Sequence, residues 1–126
     1  MYFNVERNTF YDILNETMPF EGETLNVGNA FNVTSGVFTA PRTGTYFFAF
    51  SSLSDQYYGF YFYLTVNDTR IANCDAVSQS DGRKNCYILY TVKLVSGDEV
   101  KVSLKQGSIS SALFTGVLLA EDIFQS

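Results

Sequence analysis

Residues 44–50 read GTYFFAF. Successive side chains of an extended chain leave opposite faces, so Tyr46, Phe48 and Phe50 share one face and Phe47, Ala49 and Ser51 the other. Such a strand is apolar on both faces, and both faces have to be covered. The run is expected to be strand over Thr45–Ser52, entered through the turn residues Ala40-Pro41-Arg42-Thr43-Gly44. What covers each face decides both the fold and the assembly.

The same two-residue period recurs along the chain. Tyr2–Arg7 reads as a first strand, followed by a longer irregular connection through Asn8–Glu23. Val37–Thr39 is short, and Pro41 close behind it argues against a central strand. Gly59–Val66 (GFYFYLTV) puts Phe60, Phe62, Leu64 and Val66 on one face and Tyr61, Tyr63 and Thr65 on the other. Asn67-Asp68 then turns the chain tightly into Thr69–Cys74, a weaker form of the Asn-Gly hairpin signal. Ala76–Asn85 (AVSQSDGRKN) is polar and loop-like. Tyr87–Val95, Glu99–Gln106 and Ser111–Ala120 complete the strands, with Ser96-Gly97-Asp98 turning the first of these into the second. No segment carries a sustained 3.6-residue period with caps. Short strands at this spacing predict an all-β sandwich or barrel, with residues 1–126 as one domain.

Composition narrows the function. The chain has 126 residues, a net charge of −5, 17% aromatic residues without tryptophan, and no histidine. A nucleic-acid binder needs a basic footprint, and the only adjacent cations are Arg83 and Lys84, so nucleic acid is set aside. No apolar run approaches the ~20 residues of a membrane helix, and the N-terminal MYFNVERN lacks the basic-then-apolar pattern of a leader, as expected for a mature domain. Without histidine there is no Ser-His or Cys-His dyad. Asp98-Glu99 and Glu121-Asp122 are carboxylate pairs, but adjacent strand residues point apart. Glu16, Glu21 and Glu23 sit in an irregular segment where spacing is uninformative. The expectation is that the chain is not an enzyme. Two cysteines, Cys74 and Cys86, allow one disulfide or two free thiols. Three N-x-S/T sequons, at Asn15, Asn32 and Asn67, join them in favouring an oxidising, extracellular setting and a disulfide across the polar loop. Asn67, at a hairpin tip, is expected to be the most accessible of the three. Asn32, just ahead of a strand, is expected to be partly covered.

From Phe20 onward the chain reads FEGETLNVGNAFNVTSGVFTAPRTGTYFFAF, and the spacing of Phe20, Asn26, Phe31, Phe38, Gly44, Tyr46, Phe48 and Phe50 resembles the signature of the globular head of complement C1q. Leu64-Thr65-Val66-Asn67-Asp68 is similar to that family's Leu-x-x-Asn-Gly hairpin, with Asp68 in place of glycine. Leu94–Val100 and Leu113–Leu119 resemble its Gly-Asp turn and its closing Phe-Ser-Gly-aromatic-Leu strand. The likeness covers essentially the whole chain; Cys74 and Cys86 are not part of it.

The resemblance implies a ten-stranded jelly-roll β-sandwich of the C1q and tumour necrosis factor superfamily, assembled as a homotrimer. In such a trimer one sheet packs around the threefold axis, and Phe47, Ala49, Tyr87, Leu89 and Val117 would lie at the interface. The alternative for Phe47 is burial under a loop of its own subunit. The resemblance puts Gly59–Val66 in the outward sheet, where Tyr61 and Tyr63, extended by Tyr57 and Tyr58, would form a ligand patch or merely pack across strands. Some heads of this family bind calcium. Asp75 and Asp81 are the candidates here, against the alternative of solvated loop charges; no other cofactor is implied. The expected protein is a secreted, lectin-like recognition module binding glycans or other surface patterns in innate-immune fashion. The alternatives are a signalling or adhesion head for a protein receptor, and a structural matrix trimer.

Overall fold

The computed structural model describes residues 1–54, 59–76 and 84–122, with Lys84 described by its backbone alone. Ten strands follow in chain order: β1 (Tyr2–Arg7), β2 (Gly22–Val27), β3 (Phe31–Asn32), β4 (Val37–Thr39), β5 (Gly44–Ser54), β6 (Phe60–Val66), β7 (Thr69–Ala76), β8 (Lys84–Leu94), β9 (Glu99–Gln106) and β10 (Ser111–Glu121). They form two antiparallel five-stranded sheets in the orders β2-β1-β10-β5-β8 and β3-β4-β9-β6-β7. The architecture is the jelly-roll sandwich that the resemblance implied.

Periodicity misses β2 and β3 for a physical reason. In β2 the two apolar residues, Leu25 and Val27, both face solvent, so the strand has no inward apolar alternation, and β3 is only two residues long. The reading of Pro41 also needs correction. β4 is an internal strand between β3 and β9, tolerated because it stops at Thr39, two residues before the proline. The Asn67-Asp68 hairpin is as expected, with φ of 49° and 67°, the double positive φ that a two-residue I′ turn demands.

The core is built on Phe3. Its ring lies 4.7 Å from Phe31, 5.3 Å from Phe38, 5.2 Å from Phe114 and 6.4 Å from Phe48, centroid to centroid, so one β1 side chain ties both sheets together. Space for it comes from Gly116 on the neighbouring strand, where a Cβ would lie 2.2 Å from the Phe3 ring. Phe50 and Phe62 make a second inter-sheet contact at 4.8 Å.

The connection between β1 and β2, read from sequence as irregular, is structural. Beyond the short β4 it runs beside β9, with Asn15 N–H donating to Leu104 O and Met18 N–H to Val102 O. It contributes Tyr11, Met18 and Phe20 to the buried core. Arg7 fastens it, donating to Pro19 O at 3.2 Å and lying 4.7 Å over the Tyr11 ring. At the opposite edge, Cys74 of β7 and Cys86 of β8 form a disulfide. These are the terminal strands of the two different sheets, so the bond staples the open edge of the sandwich. In the chain-entropy model a loop of this length is worth about 3 kcal/mol.

Gly116→Ala tests the Phe3 account. The added methyl has to displace a ring packed among four others, and overpacking of this kind costs about 1–3 kcal/mol. A lowered urea midpoint with an unchanged slope is expected; no change in midpoint would mean that Phe3 is not confined as described.

Candidate functional site

The outward face of the β2-β1-β10-β5-β8 sheet is the more distinctive surface. Cross-strand partners share a face, and the register lays the outward side chains in rows. One row runs Val27, Tyr2, Val117, Phe47, Thr91, and the next Leu25, Asn4, Thr115, Ala49, Leu89. A third runs Glu6, Leu113, Ser51, Tyr87. Tyr87 and Leu89 are 65% and 69% exposed, large values for apolar side chains in the middle of a long strand. Five strands span about 19 Å, and apolar patches beyond a few hundred Å² are uncommon on monomers. All of Phe47, Ala49, Tyr87, Leu89 and Val117 lie on this face. Tyr2, Leu25, Val27 and Leu113 extend it and were missed; an alternation of Leu25 and Val27 was the available signal. Thr115 Oγ1 donates to Asn4 Oδ1 at 2.9 Å in the centre, satisfying the polar pair within the face. At one end, Glu6, Ser51, Asn85 and Tyr87 help line a groove of about 250 Å³.

The outward face of the second sheet carries the tyrosines. Phe60, Phe62 and Leu64 are buried, while Tyr61 and Tyr63 are half-buried on the opposite side of β6. Tyr63 lies beneath the Arg70 guanidinium, 4.1 Å from the ring centroid. Tyr61 sits beside Asp75 of β7 and Gln106 of β9. Tyr57 and Tyr58 lie outside the described residues. So does Asp81; its partner candidate Asp75 is exposed, and among the described residues no group of three or more carboxylate, histidine or cysteine side chains is placed to hold a metal.

The carboxylates are engaged in holding turns. Asp98 accepts from Val95 N–H at 2.8 Å and from Asn67 Nδ2 at 2.9 Å. Glu121 pairs with Arg42 at 3.7 Å and Asp122 with Lys93 at 2.9 Å. Glu23 accepts from Asn26 Nδ2 at 2.9 Å. Glu21 clasps the start of the β1–β2 connection, accepting from Thr9 Oγ1 and from Asn8 N–H. The Thr9 hydroxyl, followed by the Asn8 amide, holds the Glu21 carboxyl below its ordinary range. Burial pushes the Tyr46 phenol up; its hydroxyl donates to Arg42 O at 2.6 Å and accepts from Arg42 N–H, fixing the loop before β5. Among the described residues these carboxylates are spread over separate turns and strand ends.

All three sequon asparagines are exposed. Asn32 is exposed rather than partly covered, and its Oδ1 accepts from Thr34 N–H and Ser35 N–H. Asn67 is exposed, as expected, and both ends of its carboxamide are engaged: Nδ2 donates to Asp98 and Oδ1 accepts from Glu99 N–H at 2.9 Å. Asn15 is exposed with φ of 61°.

Two packed antiparallel sheets with one apolar outer face define the jelly-roll class to which C1q heads and tumour necrosis factors belong. The chain belongs to the C1q domain family, whose model matches residues 2–119. It is 31% identical over 122 residues to complement C1q tumor necrosis factor-related protein 3 of mouse, and equally to the human protein, covering 90% of this chain. The chain spans about half the length of these curated relatives, 48%. Among solved structures, the globular domain of a zebrafish complement 1qA protein superposes with a TM-score of 0.85 at 19% identity, over 96% of this chain and 98% of that one. Eiger TNF from S. frugiperda superposes with a TM-score of 0.74 at 16% identity, over 100% and 98%. At these identities the structural likeness speaks to the fold.

The Glu21 clasp has a pH signature. Its carboxyl is depressed in the folded state, so its stabilisation is present above the unfolded value, about 4.3, and is lost as pH falls through the lower folded value. Glu21→Gln should flatten this part of the acid limb of stability against pH while leaving its shape near neutrality unchanged. An unaltered acid limb would show that Glu21 does not hold the connection.

Proposed function

We propose that the chain is the globular head of a secreted homotrimer that works by recognition, displaying three copies of one outward sheet. The observation that carries this is the apolar outer face of β2-β1-β10-β5-β8. A trimer buries it, as an obligate interface resembling a core cut in half, and leaves the β3-β4-β9-β6-β7 sheets facing outward. Membership of the C1q domain family supports the same arrangement.

The ligand surface in this reading is the outer face of β6. Tyr61 and the Tyr63–Arg70 stack offer ring faces with polar rims, flanked by Asp75, Gln106 and Lys105. Rings with wet hydroxyls suit the apolar faces and hydroxyl edges of sugars, and three copies convert weak single-site binding into avidity. Surface glycans are therefore the ligand class we favour. A protein-receptor reading rests on a different observation: Phe10, Ile13 and Leu14 are exposed on the β1–β2 connection, and apolar loop residues suit a protein partner better than a sugar.

A glycan array probed with the wild type and with the Tyr61→Ala/Tyr63→Ala double variant, with and without calcium, tests this. Binding lost by at least ~10-fold, about 1.4 kcal/mol, with the trimer intact, is the expected result. Undiminished binding by the double variant would remove the patch. A blank array for both, with binding to a cell-surface protein abolished by Phe10→Ser/Ile13→Ser, would favour the receptor reading.

A further inference from the structure

The three sequons are chemically alike in sequence and unlike in the fold. We infer that Asn32 is a glycan-bearing asparagine and that Asn67 is a structural one that stays bare. The inference rests on the extracellular reading above. The acceptor atom in N-glycosylation is Nδ2. It forms a bond to the anomeric carbon of a lipid-pyrophosphate-linked oligosaccharide, gives up one amide proton, and expels the lipid pyrophosphate. The nitrogen therefore has to give up one of its two hydrogens, and it has to be reachable by the transferase.

The Asn67 side chain is exposed, but its carboxamide is bound into the neighbouring turn. The residue occupies the first position of the β6–β7 turn at φ 49° and is locked to the β8–β9 turn by three hydrogen bonds. Nδ2 donates to Asp98 Oδ1, Oδ1 accepts from Glu99 N–H, and its own N–H donates to Glu99 O at 2.8 Å. Asp98 is held in turn by Val95 N–H. A saccharide on this nitrogen would be attached at the atom that binds Asp98 of the neighbouring turn. The carboxamide is the clip that fixes one hairpin against the next.

Asn32 is arranged the other way round. Its oxygen, not its nitrogen, is committed, accepting from the backbone of Thr34 and Ser35 at 3.0 and 3.2 Å. That bend draws the asparagine towards its own sequon threonine. The side chain is exposed at the mouth of a shallow groove of about 510 Å³, shared with Asn29, Ser35, Thr39, Pro41 and Glu99. β3 is the edge strand of its sheet, separated from β6 by β4 and β9. A glycan here rests on the edge of the outward sheet, clear of both the apolar face and the tyrosines.

The test is to direct the chain into a eukaryotic secretory pathway with an appended leader and map sequon occupancy by peptide mass spectrometry, in secreted and retained fractions alike. Thr34→Ala and Thr69→Ala remove the Asn32 and Asn67 sequons without touching either asparagine. Occupancy at Asn32, lost in Thr34→Ala, together with no change in glycan occupancy for Thr69→Ala, is expected. A bare Asn32, or a glycan on Asn67, would overturn the inference. The leader makes this readout independent of whether the natural chain is secreted. In unglycosylated protein made in bacteria, Asn67→Gly suits the positive φ and deletes only the side-chain clip. It should lower Tm by about 4 °C or more, and an unchanged Tm would refute the clip.

Discussion

The sheet β2-β1-β10-β5-β8 has apolar side chains on both of its faces, and everything else in the molecule answers to that constraint. One face is covered within the chain, where Tyr46, Phe48 and Phe50 of β5 are almost wholly buried beneath the second sheet. The other is left open, with Phe47 and Ala49 between Val117, Thr115 and Leu89. Burying one leucine-sized side chain is worth about 1.5–3 kcal/mol. A face of this extent therefore supplies ample drive for association, and the threefold closure proposed above would turn it into a finite particle rather than an aggregate.

Covering the inner face places equally specific demands on the chain. Phe3 reaches both sheets because Gly116 leaves room for it, and the missing width of the short β4 is made good by the β1–β2 connection, which lends Tyr11, Met18 and Phe20 to the core. The far edge is joined by Cys74–Cys86. The sandwich is thus closed by a threaded segment on one side and by a covalent bond on the other. Its outward sheet is left as a rigid platform.

How far this could be read in advance follows from what each residue does. The eight signature residues are architectural. Phe31, Phe38, Phe48 and Phe50 pack the core, Asn26 ties Phe31 to its own turn through Nδ2 and Oδ1, and the Tyr46 hydroxyl holds the loop at Arg42. A pattern made of packing and turn chemistry identifies the fold and is silent about the ligand. Strand alternation in β5, β6, β8 and β10 was legible because each buries one face. β2 was not, because its apolar residues point away from its own core. The buried residues of the connection were hidden because an irregular backbone has no period to betray them. The clip from Asn67 to the β8–β9 turn was not legible, because a contact between two hairpins leaves no local pattern. Whether Tyr61 and Tyr63 serve a ligand depends on a partner surface that no local pattern encodes.

The account stands on a single physical quantity, the mass of the particle in solution. Sedimentation equilibrium at micromolar concentration should give three times the chain mass of 14.1 kDa, without dissociation on moderate dilution. A stable, soluble 14.1 kDa species under the same conditions would mean that the apolar face is not an interface between copies of this chain, and the arrangement drawn from it would fall.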